Sequence, residues 1–144
     1  MSEVPQVRNV VFDCRHPRPL AEFYRELLGY AYRPGDESPA AGQPDPRGED
    51  WLVLRPADGG RGLAFQQTGD YVSPVWSDRP TQEGAQQQML HLDLTVDDVE
   101  ALFRQRDRAT SLGARILYDR SEDPEEPLYV FADPAGHPFC IFVA

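Results

Sequence analysis

The run Met89–Val96, MLHLDLTV, alternates apolar and polar side chains. Alternation is the period of a strand, and it sets Leu92, Leu94 and Val96 on one face and His91, Asp93 and Thr95 on the other. An imidazole beside a carboxylate can do acid–base chemistry, because histidine changes charge near neutral pH and can serve as a general base. His91 and Asp93 are therefore the candidate catalytic pair. A hydrogen-bonded interior histidine accounts for His91 equally well. Asp13 ends another apolar run, and a carboxylate on an inward strand face is costly unless it is paired. Asp13 and Asp93 either pair with Arg8, Arg15 or Arg55 or contact a ligand. Cys140, in PFCIFV, reads as a small buried residue rather than a nucleophile, since a reactive thiolate needs a positive neighbour and none is evident nearby. His16 and His137 stand next to prolines in loop sequence and read as solvated; Asp133 reads as turn chemistry.

The elements that would carry these groups can be read from periodicity. Val7–Cys14 predicts a strand. Leu20, Phe23, Tyr24, Leu27 and Leu28 fall on one helical stripe, with Pro17 and Pro19 suited to its start and Gly29 to its left-handed exit. Residues 33–50 are rich in proline, glycine and acid and predict a mobile loop. Trp51–Arg55 and Leu63–Gln67 predict strands joined by ADGGRG, and 73–87 predicts a polar linker. The order then restarts. After the His91 strand, Asp97 and Glu100 predict a capping pair for a helix carrying Val99, Leu102 and Phe103, and Leu112-Gly113 ends it. A strand at Arg115–Tyr118, an acidic loop at 121–127, and a hairpin of Leu128–Ala132 with Pro138–Val143 complete the chain. The hairpin turn, Asp133-Pro134-Ala135-Gly136, has type I composition. Leu63, Phe65, Phe139 and Ile141 should face the helices as core. Strand, helix, then strands thus occurs twice, as a repeat of pattern rather than of identity.

The 144 residues carry 14 basic and 24 acidic side chains, a net charge of −10. Such a balance argues against nucleic acid and against an anionic membrane surface. The N-terminal residues do not read as a signal peptide, and no stretch reaches the ~20 apolar residues of a membrane span. Two distant cysteines without CxxC spacing predict free thiols in the cytoplasm. Phosphate-loop, dinucleotide-fold, zincin and nucleophile-elbow motifs do not occur.

Three segments resemble one superfamily. LAEFYRELLGY is similar to the first helix of the glyoxalase/bleomycin-resistance/extradiol dioxygenase (vicinal oxygen chelate) superfamily, HLDLTVDDVEAL to its second-module strand and helix start, and DPAGHPFCIFV to its closing hairpin. The resemblance covers nearly the whole chain, in order. It implies an α+β fold of two βαβββ modules forming a curved mixed sheet around a cleft, often in a homodimer. The single glyoxalase-like domain would span 1–144, with module one at about 5–72, a linker at about 73–87 and module two at about 88–144. Superfamily enzymes hold a divalent metal between four slots. Matched strand by strand, the slots are Asn9, Gln66, His91 and Cys140, and only His91 keeps the usual ligand type.

Amide side chains are neutral, weak ligands, and a catalytic divalent metal usually needs three good ones. The expectation is therefore no cofactor, with a divalent metal, or one shifted to Asp93 or Asp13, as the exception. Trp51, Trp76 and Tyr129 are the aromatics expected near the cleft. Together these residues predict a protein that binds a small organic molecule through Asn9, Asp13, Trp51, Gln66, His91, Asp93, Tyr129 and Cys140. It would either sequester the molecule or modify it through His91 and Asp93. The alternatives are a metal-dependent lyase, isomerase or dioxygenase of the superfamily, and a ligand-free structural or regulatory dimer.

Overall fold

A computed structural model describes residues 4–76 and 86–144. Part of the expected linker, 77–85, lies outside the described residues. The chain divides into two compact units, Met1–Tyr71 and Val72–Ala144. The first contains β1 (Asn9–Cys14), α1 (Pro17–Leu28), β2 (Ala31–Tyr32), β3 (Trp51–Arg55) and β4 (Gly62–Gln67). The second opens with the short β5 (Pro74–Val75) and β6 (Gln86–Gln87), which pair parallel, so the expected linker carries some sheet of its own. It continues with β7 (Leu92–Val96), α2 (Val99–Ser111), β8 (Arg115–Arg120), β9 (Leu128–Ala132) and β10 (Pro138–Val143). Each unit is thus a βαβββ module on its own four-stranded mixed sheet, ordered β1-β4-β3-β2 and β7-β10-β9-β8. Neither sheet closes on itself. Among the described residues no helix is long and apolar enough to cross a membrane.

The cores lie between each helix and its sheet. In the first unit Phe12 stacks on Tyr24 of α1 at 5.2 Å and on Phe65 at 5.6 Å. In the second, Phe131 stacks on Phe139 at 5.0 Å. Leu63, Phe65, Phe139 and Ile141 are all buried, as their alternation requires. Each such side chain contributes roughly 1.5–3 kcal/mol on burial. The helices start and stop where their end chemistry allows. Two prolines sit in the first turn of α1, and Gly29 leaves it at φ 68°, a left-handed conformation that suits glycine. The start of α2 differs from expectation by one residue: Asp98, not Asp97, accepts the Ala101 N–H at 2.7 Å. An N-cap side chain serves the second or third amide of the helix it precedes, and because α2 begins at Val99 that residue is Asp98.

The segment 33–50 is not the loose loop its composition suggests. Asp36 is fully buried and takes Arg47 at 2.8 Å, Arg33 at 3.0 Å and the Val53 N–H at 3.0 Å. Arg18 grips Asp45 through two hydrogen bonds of 2.8 and 2.9 Å and donates to the Asp36 carbonyl. These contacts tie the loop to α1 and β3. The hairpin turn forms with Gly136 N–H donating to Asp133 at 2.8 Å. His137, expected in solvent, is instead held against buried Asp133, its Nδ1 3.0 Å from Oδ2.

Candidate functional site

Register decides which polar side chains meet. In the second unit Cys140 of β10 is the direct partner of Asp93 on parallel β7, and Val130 of β9 lies beyond it. His91 precedes Asp93 by two residues and so shares its face. That face points away from α2. Donor atoms of His91, Asp93 and Cys140 all lie within 4.8 Å of one another. The imidazole Nε2 is 3.2 Å from Asp93 Oδ1, and the ring packs edge-to-face on Trp76, centroids 5.1 Å apart. The side chains of His91 and Asp93 are 34% and 59% exposed, so both can be reached from solvent. Cys140 is buried behind them. Burial, with the Asp93 charge and a hydrogen bond to Asp93, pushes its thiol up to about 12. It is therefore a protonated thiol at neutral pH, not a ready nucleophile.

The first unit presents a different set on the corresponding face, opposite Phe12 and Phe65. Asp13, Gln66 and Trp51 are register partners across β1, β4 and β3. The Gln66 amide donates to Asp13 at 2.6 Å, and Trp51 is half-buried beside them. Asn9 pairs instead with Gly62, four residues back along both strands, roughly 13 Å away at strand rise. Its Oδ1 is buried without a hydrogen-bond partner, and a Cβ on Gly62 would stand 2.7 Å from it.

The eight expected site residues thus fall into groups. His91, Asp93 and Cys140 come together; Asp13, Gln66 and Trp51 come together; Asn9 stands apart from the latter. Tyr129 belongs to neither. As the partner of Ile141 it occupies the helix-side face, almost fully buried, and its hydroxyl takes Arg106 of α2 at 3.1 Å. The count along β9 puts it in phase with Phe131, which is core, so its alternation could have excluded it. Trp76, one of the aromatics expected near the cleft, is the one that touches His91. No periodic signal in the sequence reports that contact, because the two residues stand 15 positions apart and on different elements of the pattern.

Internal symmetry bears on the superfamily's metal. Leu92 pairs with Phe139, so one residue back His91 stands beside Pro138, and Cys140 is two residues further along. In the first unit Asn9 stands beside Gly62, and two residues further along is Ala64. The slot matching Cys140 is therefore filled by a buried alanine, and Gln66 is engaged with Asp13. Asn9, Gln66, His91 and Cys140 do not fit a divalent metal as a set: two are neutral amides, and the slot matching Cys140 has no donor.

The fold and the two sheet faces define a glyoxalase-like protein. The sequence profile described as a glyoxalase-like domain matches residues 9–142, and the chain belongs to that family. Solved structures agree in fold at low identity. A glyoxalase/bleomycin resistance protein/dioxygenase family enzyme from Burkholderia phytofirmans PsJN aligns with TM-score 0.66 and 16% identity, over 96% of this chain and 98% of that one. The fosfomycin resistance protein from Mesorhizobium loti aligns with TM-score 0.62 and 14% identity, over 100% and 94%. Lactoylglutathione lyase from Agrobacterium tumefaciens gives 0.59 and 12%, over 99% and 96%. Among curated proteins, none matches.

Proposed function

We propose that this protein binds a small organic molecule against the His91 face of its second sheet, with His91 and Asp93 as an acid–base pair and without the superfamily's four-ligand metal. The observation that carries this reading is the 3.2 Å contact between His91 Nε2 and Asp93 Oδ1, on an exposed face, with Trp76 against the imidazole. A carboxylate on one ring nitrogen orients the ring and leaves Nδ1 to exchange a proton with a ligand. Trp76 offers an aromatic wall, the usual partner for a flat organic molecule. Whether the bound molecule is held or altered depends on whether it offers an acidic proton to His91.

The test is ligand-observed NMR with a panel of small phenols, aromatic amides and aromatic carboxylates, on chelator-treated protein. The expected result is a set of binders weakened at least tenfold, or about 1.4 kcal/mol, by His91→Ala. Because His91 is exposed, the same change should alter unfolding stability by no more than about 0.5 kcal/mol. A panel without binders, or binders indifferent to both His91→Ala and Trp76→Leu, overturns the reading.

A further inference from the structure

Trp76 reaches His91 from a short segment with little burial of its own: Val72 and Ser73 are exposed, and Pro74 and Val75 are half-buried. We infer that Ser73 is the positioning residue of this segment. Its hydroxyl seats the segment on the Asp133–Gly136 turn, fixes the Trp76 ring against the imidazole, and so favours flat ligands over puckered ones of the same size. The preference rests on the ligand-binding reading above, whereas the placement of Trp76 does not.

The Ser73 hydroxyl donates to the Ala135 carbonyl at 2.9 Å. Gly136 packs directly on the same side chain. A Cβ there would stand 2.9 Å from both Cβ and Oγ of Ser73, so only glycine lets the segment sit this close. The turn that offers these contacts is stiff. The buried Asp133 carboxylate accepts the Ala135 and His137 N–H groups at 2.8 and 3.0 Å. The Gly136 N–H donates to the Asp133 carbonyl at 2.8 Å, and the Asp133 N–H donates to the His137 carbonyl at 2.9 Å. This frame leads straight into β10, whose first residue, Pro138, stands beside His91. The Ser73 anchor and the imidazole are therefore both referenced to one strand end.

Only Pro74 and Val75 separate Ser73 from Trp76, about 10 Å of extended chain. Pro74 fixes its own φ and holds Ser73 in an extended conformation. The two residues form β5 and pair with Gln86 and Gln87 of β6, and the Gln88 N–H donates to the Val75 carbonyl at 3.4 Å. A span this short and stiff carries the position of Ser73 through to Trp76. The edge-to-face contact at 5.1 Å is weak by itself, so the ring needs a second hold to stay in place. An aromatic wall that is already in place costs no ordering when a ligand arrives. A flat ring meets such a wall across its whole face, whereas a saturated ring touches it at few atoms. Without the Ser73 bond the flat ligand would have to order the wall itself, and its advantage would shrink.

The position of Trp76 can be read through its neighbour by NMR of ring-labelled histidine in full-length, chelator-treated protein. His91→Ala assigns the His91 signals, and Trp76→Leu gives their positions without the indole ring current. Ser73→Ala is expected to move them roughly a third of the way to those positions or further, because losing such a hydrogen bond shifts an equilibrium by about fivefold. Ser121→Ala removes another exposed hydroxyl of the same unit and should leave them in place. Ser73 is exposed, so its variant should keep the wild-type melting temperature. Benzoate and cyclohexanecarboxylate then test the preference. Ser73→Ala should weaken benzoate about fivefold and its saturated counterpart by less than about twofold. His91 signals unmoved by Ser73→Ala or by Trp76→Leu, or moved equally by Ser121→Ala, overturn the placement. Equal weakening of the two carboxylates, or a wild type that does not favour benzoate, overturns the preference. The wider aromatic panel decides the ligand reading separately.

Discussion

Replacing Asp36 by alanine should destabilise the first unit by about 3 kcal/mol, and the figure follows from its partners. The carboxylate is fully buried and makes three polar contacts. The Val53 N–H, on a buried strand, would lose its acceptor, which costs about 1–3 kcal/mol. Arg47 and Arg33 are 58% and 38% exposed, so water compensates much of what they lose, and each pair is worth only about 0.2–1 kcal/mol. For a chain of this length, ~3 kcal/mol corresponds to a fall in melting temperature of roughly 6–12 °C. Asp36→Asn is the control. It keeps an oxygen for Val53 and loses the charge, so it should cost about 1 kcal/mol. Urea unfolding followed by far-ultraviolet circular dichroism reads both variants, with the slope against urea expected to stay constant. If alanine costs less than ~1 kcal/mol, or if alanine and asparagine cost the same, the buried amide bond is not what holds the loop down.

Acid should act through the same loop. Burial pushes the Asp36 carboxyl up, but Arg47, Arg33 and the Val53 N–H outweigh it and leave it below its ordinary value; Arg18 holds Asp45 low as well. Depressed carboxylates stabilise above their unfolded value near ~4 and lose that contribution as pH falls through the folded value. Melting temperature should therefore drop below about pH 4 in the wild type and drop less steeply in Asp36→Asn. At α2, Asp98→Ala should cost about 1 kcal/mol and Asp97→Ala a few tenths, a difference that thermal melts would resolve. Gly62→Ala would set a Cβ 2.6 Å from the Leu54 carbonyl and 2.7 Å from Asn9 Oδ1. The clash should destabilise by about 1–3 kcal/mol, and a neutral result would mean β4 shifts freely.

Periodicity and end chemistry made the two helices, most strands and the closing hairpin legible, because each is set by contacts only a few residues apart. The stripe of Leu20, Phe23 and Tyr24, the exit at Gly29 and the alternation around His91 are of this kind. The same local segments carried the family. They also marked His91 and Asp93 as neighbours, since spacing along one strand fixes a shared face. What composition misread was 33–50: its polar, proline-rich sequence does not reveal that two arginines and a strand amide converge on Asp36.

Placement across strands was decided only by tertiary structure. The residues flanking Cys140 do not say that it stands beside Asp93, 47 positions earlier; the parallel register of β10 on β7 does. Register likewise sets Gln66 beside Asp13 rather than Asn9, and turns Tyr129 towards α2. A strand's sequence gives the two sets of side chains it presents. Which set meets which depends on a hydrogen-bond register fixed by core packing of the whole unit, and a shift of one residue would exchange the faces. The residue types that could do chemistry were thus written in the sequence, and their assembly into one cluster and one separate pair was settled by the fold.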